Sequence, residues 1–225
     1  VTERGKKSMS FNTDLLHAGV DREAKGATLT PIYQSSAFEQ DTAADLEKIF
    51  ENKAPGFCYT RVGNPTVAAF ENRITKLEGG MASIACASGM AAIMNAILNI
   101  VRSGDEIVSS ASLYGGSIDL FRDIEEFGIT TRYVKNNDWE AIEEAINEHT
   151  RLIFAETIGN PCLDVTDVER LAQIAHEHKI PLILDNTTAT AYLFQGIKHG
   201  ADIVVNSSSK YINGSSNSIS GILTY

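Results

Sequence analysis

The segment RLIFAETIGNPCLDVTDVERLAQIAHEHKIPLILDNT, residues 151–187, contains the pattern that decides the fold. It begins with RLIFAET and ends with PLILDNT, two apolar runs of strand length. Between them, VERLAQIAHEHK places apolar residues at the spacing of an amphipathic helix. A strand, a helix and a second strand in this order predict a crossover unit with two parallel strands.

The same alternation extends outward from this unit in both directions. Further strand-length runs are ASIACA, DEIVSSA, ITTRYV and GADIVV, and helical segments such as MAAIMNAILNIV and SIDLFRDIEEFG lie between them. Continuous apolar runs such as Leu182–Leu184 are typical of strands that helices cover on both faces. The sequence therefore predicts an α/β fold with a mostly parallel sheet flanked by helices.

The first part of the chain has a different pattern. In residues 1–56, GATLTPIYQSSAF reads as extended and TAADLEKIFENK as a short amphipathic helix, so we predict an N-terminal arm. At GNPT, residues 63–66, Asn64 and Pro65 have the pattern of a helix cap and a first helical position. We assign residues 57–225 to one large α/β domain.

Composition excludes several classes of function. A formal net charge of −10 argues against a general binder of nucleic acids or anionic membranes, so any anion site must be built locally. The three cysteines form no CxxC pair and are odd in number, which predicts reduced thiols and a cytoplasmic location. No apolar run approaches membrane-spanning length, and no signal-peptide core is seen near the start.

In a parallel α/β sheet, ligands bind beyond the carboxyl ends of the strands, so the residues that follow each run are the candidates. Lys210 follows one run and could form a Schiff base, although most loop lysines are simply solvated. Asp185 ends another run and could hold a protonated ring nitrogen, or it could form an ordinary Asx turn.

A phosphate site is predicted where Ser88 and Gly89 join a strand to a helix, because backbone N–H groups there face outward. The alternative is a plain helix cap at Ser88 with a tight turn at Gly89. Ser207 and Ser209 alternate beside Lys210 and could add hydroxyl groups. An amine, a carboxylate and a phosphate cradle together match the needs of pyridoxal phosphate.

Six segments make this interpretation specific: YTRVGNPT, ASGMAA, LYGGS, ETIGNP, DNTTAT and NSSSKYINGSSNS. In this order they resemble the Cys/Met-metabolism family of pyridoxal-phosphate enzymes, and the resemblance covers nearly the whole chain. Within that family, YTRVGNPT and LYGGSIDLF are most similar to the O-acetylhomoserine sulfhydrylases. The resemblance implies a fold-type I transferase-like domain at residues 57–225.

The resemblance also implies roles for individual residues. Lys210 would carry the cofactor as a Schiff base and move protons, and Asp185 would keep the pyridine nitrogen protonated. Tyr114 would stack on the ring and assist proton transfer or departure of the leaving group. The remaining implied cofactor-binding residues are Gly89 and Met90 through backbone N–H groups, Ser207 and Ser209 through hydroxyls, Asn160 near the phenolic oxygen, and Thr187.

Tyr59 and Arg61 are implied to reach the cofactor phosphate of a neighbouring subunit, which would require a homodimer or homotetramer. Without the resemblance, Tyr59 and Arg61 read as a surface pair, Tyr114 as a half-buried aromatic, and Asn160 as part of a turn. The family pattern places a smaller domain with a carboxylate-binding arginine beyond residue 225, and no residue of this sequence takes that role. The HEH pattern at residues 176–178 does not share one helix face, so we assign no metal.

The implied reaction is γ-replacement on O-acetylhomoserine by sulfide or a thiol, giving homocysteine or methionine. The nearest alternatives are a cystathionine γ-synthase and a cystathionine or methionine γ-lyase. Two alternatives from other classes are a nucleotide-phosphate-binding α/β protein that uses the Ser88–Gly89 turn, and a non-catalytic fragment.

Overall fold

The computed structural model describes residues 10–20 and 26–225. The chain divides into two compact units, Val1–Lys76 and Leu77–Tyr225. Residues 1–9 and 21–25 of the predicted arm lie outside the described residues, and its boundary at residue 56 stays a prediction. No helix in the described ranges is long and apolar enough to cross a membrane.

The first unit contains helices α1 (Phe11–His17) and α2 (Ala43–Phe50) and most of α3 (Pro65–Glu78). The predicted start of α3 is confirmed: Pro65 is its first residue, and the Asn64 side-chain oxygen accepts a hydrogen bond from Thr66 N at 2.8 Å. This cap satisfies one of the N–H groups that the first turn leaves without a helical partner.

The second unit contains a seven-stranded sheet, whose strands lie in the order β1-β7-β6-β5-β4-β2-β3. The strands β2 to β6 run parallel, whereas β7 pairs antiparallel with both β1 and β6. The predicted α/β fold is confirmed, but β7 was not predicted. In chain order the elements are β1 (Ser83–Cys86), α4 (Gly89–Ile100), β2 (Glu106–Ser110), α5 (Gly115–Glu125), β3 (Thr130–Val134), α6 (Trp139–Ala145), β4 (Thr150–Glu156), α7 (Val168–Glu177), β5 (Leu182–Asp185), α8 (Thr190–Leu193), a 3-10 helix (Gly196–His199), β6 (Ile203–Asn206) and β7 (Gly221–Thr224).

Neighbouring residues of the central strands pack into two separate cores. In β4, Phe154 joins the cluster that contains residues of α4 and α5, whereas Ile153 joins the cluster that contains residues of α6 and α7. Phe121 of α5 meets Phe154 edge to face, with ring centroids 5.1 Å apart. Burial of each such side chain stabilises the fold by about 1.5–3 kcal/mol, which explains the continuous apolar runs.

The strand register aligns the carboxyl ends of the central strands. Glu156 at the end of β4 pairs with Asp185 at the end of β5, and Asp185 pairs with Val205 of β6. The polar residues that follow these three strands are therefore brought to the same edge of the sheet.

Candidate functional site

A cavity of about 770 Å³ opens at this edge, and we call it the carboxyl-edge cavity. Its volume lies within the range of small-molecule and cofactor sites. Every predicted site residue of the second unit lines it: Gly89, Met90, Tyr114, Asn160, Asp185, Thr187, Ser207, Ser209 and Lys210. Further lining residues include Ser88, Glu156, Thr188, Tyr211 and Ile219.

Lys210 lies in the turn that follows β6. The backbone N–H of Lys210 donates to Ser207 O at 3.1 Å, and Gly214 N donates to Lys210 O at 2.8 Å, so both sides of the turn are fixed. Within residues 10–20 and 26–225, no carboxylate lies at ion-pair distance from the Lys210 amine. The side chain therefore presents an unpaired amine at the cavity, as a Schiff-base lysine requires.

Asp185 forms the Asx turn that its sequence position allowed, and its role toward a ring nitrogen stays a prediction. Its Oδ1 accepts a hydrogen bond from Thr187 N at 2.9 Å, which is an Asx turn, and its carboxylate also lines the carboxyl-edge cavity. Burial raises the pKa of Asp185 above its ordinary value, although the hydrogen bonds from Thr187 lower it. A protonated ring nitrogen beside this carboxylate would offset the cost of burying the charge.

The turn into α4 forms a backbone cradle. Ser88 Oγ accepts from Ala91 N at 3.1 Å and so caps α4, as its alternative interpretation held. The N–H groups of Gly89 and Met90 remain in the first turn, where an α-helix provides no acceptor for them. A Cβ atom on Gly89 would lie 2.5 Å from Ser207 Cβ, so only glycine fits there. The free N–H groups and the helix dipole fit a phosphate.

Thr187 connects the carboxylate end of the cavity to the cradle. Its N–H donates to Asp185, and its Oγ1 accepts from Ser207 N at 2.7 Å. The Ser209 hydroxyl, by contrast, already donates to Ser220 O at 3.1 Å and accepts from Ser220 N at 2.9 Å. A phosphate would receive a hydrogen bond from Ser209 only after this hydroxyl had rotated.

Glu156 is a cavity residue at a strand end, where the sequence predicts candidates, but no individual role was predicted for it. It is 6% exposed, and its Oε1 accepts from Tyr114 N at 2.6 Å. Burial raises the pKa of Glu156 to about 8; the N–H groups of Tyr114 and Asn160 oppose the shift, and the charges of Asp185 and Asp164 add to it. The only signal in the sequence is an acidic residue at the end of an apolar run.

Tyr59 and Arg61 belong to the first unit, whereas the residues that line the carboxyl-edge cavity belong to the second. The Arg61 guanidinium carbon lies 5.4 Å from the centroid of the Tyr59 ring, so the two side chains form a cation–π pair. Both side chains are exposed. Their assignment to the phosphate of a neighbouring subunit's cofactor stays a prediction.

The groups of the cavity fit pyridoxal phosphate, since an amine, a carboxylate and a backbone cradle line one cavity. A sequence model of the family described as "Cys/Met metabolism PLP-dependent enzyme" matches residues 12–225. The chain belongs to this family. The predicted resemblance is thereby confirmed.

Individual relatives of the chain agree with the family assignment. The chain is 43% identical over 217 residues to an O-acetyl-L-homoserine sulfhydrylase from Corynebacterium glutamicum, covering 95% of this chain and 49% of the relative. It is 37% identical over 219 residues to an L-methionine gamma-lyase from Fusobacterium nucleatum, covering 96% of this chain and 55% of the relative. The chain thus spans about half the length of the curated relatives it matches.

A solved structure confirms the predicted fold class. A putative O-acetylhomoserine (thiol)-lyase from Campylobacter jejuni matches the chain with a TM-score of 0.92 and 35% identity. The match covers 96% of this chain and 54% of that one, and the Campylobacter protein carries an N'-pyridoxyl-lysine-5'-monophosphate. Our chain therefore has the fold of a pyridoxal-phosphate enzyme whose cofactor is joined to lysine.

Proposed function

We propose that the protein catalyses γ-replacement on O-acetylhomoserine, in which sulfide or a thiol displaces acetate to give homocysteine or methionine. The observation that carries the proposal is the carboxyl-edge cavity, where Lys210, Asp185 and the Gly89–Met90 cradle lie together. The sulfhydrylase from C. glutamicum supports the choice of reaction. We also propose a cytoplasmic location.

In this proposal Lys210 would hold pyridoxal phosphate covalently and would move protons at the substrate's carbon atoms. When bound, the cofactor supplies an electron sink for those carbons. Asp185 would hold the protonated ring nitrogen, Tyr114 would cover the ring, and Asn160 would orient the phenolic oxygen and the substrate carboxylate. Gly89, Met90 and Ser207 would bind the phosphate, with Thr187 in support and Ser209 after rotation of its hydroxyl.

A γ-lyase reaction is the second candidate, because the F. nucleatum relative is a methionine gamma-lyase. The two reactions differ in their need for a sulfur donor. The test incubates the cofactor-loaded protein with O-acetylhomoserine, with and without sulfide, and measures homocysteine, acetate and 2-oxo acid. A γ-replacement enzyme forms homocysteine and acetate in equal amounts and only with sulfide. Release of 2-oxo acid and ammonia without sulfide would support the lyase instead.

We further propose that the protein works as a homodimer or homotetramer, with residues 1–56 as an arm on a cofactor-binding domain of residues 57–225. Tyr59 and Arg61 would bind the phosphate of the neighbouring subunit's cofactor. The test mixes Arg61→Ala protein with Lys210→Ala protein after partial dissociation. Shared sites would restore up to about a quarter of wild-type activity, since half of random dimers are mixed and each has one complete site. No recovery in a mixture shown to contain mixed dimers would refute the sharing.

A further inference from the structure

The peptide N–H of Tyr114 is held by a buried carboxylate from another part of the sheet. Tyr114 directly precedes α5, and its N–H donates to Oε1 of Glu156, 42 positions later at the end of β4. The distance of 2.6 Å is short for an N–H donor, and Glu156 is 6% exposed. The bond therefore fixes the backbone of Tyr114 to the carboxyl end of β4.

The ring of Tyr114 packs against Gly116. A Cβ atom on Gly116 would lie 2.5 Å from Cε1 of Tyr114 and 3.2 Å from Cδ1, so the ring covers the face of Gly116 where a side chain would project. In the described part of the chain, no hydrogen bond to the Tyr114 hydroxyl is found, and the residue is 52% exposed. The position of the ring thus depends on the backbone bond to Glu156 and on the packing against Gly116.

We propose that Glu156 is a positioning residue, which holds Tyr114 over the carboxyl-edge cavity through the Tyr114 peptide N–H. This inference rests on the proposed function, because it gives Tyr114 a position that matters for the ring of a bound cofactor. The competing explanation is that Glu156 only satisfies an N–H group at the start of α5 and so stabilises the fold. The two explanations differ in whether loss of the bond to Tyr114 N changes kcat and the packing of the Tyr114 ring.

Three substitutions separate these explanations. Glu156→Gln keeps an oxygen that can accept from Tyr114 N but carries no charge, whereas Glu156→Leu removes the acceptor. Gly116→Ala leaves Glu156 intact and displaces the ring directly. If Glu156 is a positioning residue, Glu156→Leu and Gly116→Ala are expected to lower kcat about 100-fold and to leave KM within about threefold. A shift of the Tyr114 ring by about 1 Å would have an effect of this size. Glu156→Gln stays within about threefold of wild type in both.

Two further readouts on the cofactor-loaded protein do not depend on turnover. Hydrogen exchange reports the Tyr114 amide, whose protection is expected to be lost in Glu156→Leu and kept in Glu156→Gln. Visible circular dichroism reports the ring packed on the bound cofactor, and its signal is expected to be lost in Glu156→Leu and Gly116→Ala. Glu140→Gln, which changes an exposed glutamate, is the matched control.

Unchanged amide protection in Glu156→Leu would overturn the proposal, because the bond would then not hold Tyr114. Lost protection with unchanged kcat and dichroism would also overturn it, since Glu156 would then be only structural. If the wild type lacks γ-replacement activity but the exchange and dichroism follow the expected pattern, the proposed reaction fails and the positioning role stands. If Glu156→Leu does not fold, Glu156→Gln decides: loss of Tyr114 amide protection or of the dichroism in this variant, which keeps an acceptor, would overturn the proposal.

Discussion

Glu78 is a buried acid whose side chain we expect to be protonated, and so uncharged, below about pH 7. It is the last residue of α3 and 1% exposed, and its Oε1 accepts from Asn186 Nδ2 at 3.4 Å and from Asn206 Nδ2 at 3.3 Å. Within the described residues, Glu78 Oε2 and Asn206 Oδ1 are both buried acceptors without a donor. A proton on Glu78 would supply a donor to this group. Burial raises the pKa of Glu78 to about 7, although Asn206, Asn186 and Gly196 lower it.

The raised pKa sets the size and sign of a pH effect on stability. The folded protein binds this proton more tightly than the unfolded chain does, where the pKa is 4.5. The contribution of this proton to the free energy of unfolding is therefore complete below pH 4.5 and is lost as the pH rises through about 7. At 1.36 kcal/mol per unit of pKa, the loss is about 3 kcal/mol at most. Glu78→Gln cannot ionise, so it lacks this loss.

The assay is urea unfolding of the wild type and Glu78→Gln between about pH 4 and about pH 9, both saturated with cofactor. The stability of Glu78→Gln relative to the wild type is expected to rise by about 3 kcal/mol across that range. Glu144→Gln, at an exposed position of α6, should show the same pH dependence of the free energy of unfolding as the wild type. If the free energies of unfolding of Glu78→Gln and the wild type differed by the same amount at every pH, the expected protonation of Glu78 would be refuted.

Two other substitutions test the cradle. Gly89→Ala places a Cβ atom 2.5 Å from Ser207 Cβ, so we expect the affinity for the cofactor to fall at least about tenfold. Fluorescence titration measures this affinity, and a Kd within about twofold of wild type would contradict the phosphate cradle. Thr187→Val removes the acceptor of Ser207 N, which costs about 1–3 kcal/mol and weakens cofactor binding about 10- to 100-fold, whereas Thr187→Ser is expected to bind nearly as the wild type. Equal affinities of Thr187→Val and Thr187→Ser would show that this bond does not support the site.

The parallel part of the fold was predictable because each strand and helix carries its own local pattern. The crossover unit of β4, α7 and β5 is an example: apolar runs form strands and the amphipathic segment forms the helix between them. The strand β7 (Gly221–Thr224) was missed, since a four-residue strand with only Ile222 and Leu223 as large apolar residues is too short a signal after a serine-rich loop. Its pairing with β1, Ser83 opposite Thr224, joins residues 141 positions apart.

The site was predictable to the extent that it lies at strand ends. Lys210 and Asp185 follow apolar runs, and parallel strands bring such residues to one edge. No role was predicted for Glu156, and Glu78 was not selected, because their importance comes from burial and from partners 42 to 128 positions away. The bonds that occupy the Ser209 hydroxyl depend likewise on how the loop folds back, which spacing alone does not determine.

The most direct test of the central claim is borohydride reduction of the protein loaded with pyridoxal phosphate, followed by peptide mass mapping. We expect a visible Schiff-base band that reduction removes, and a pyridoxyl adduct on Lys210. Lys210→Ala should show neither the band nor an adduct at that peptide, and Lys179→Ala, which changes a lysine outside the cavity, should behave as the wild type. A folded protein that forms no adduct, or forms it at another lysine, would contradict the account and favour a phosphate-binding or non-catalytic protein instead.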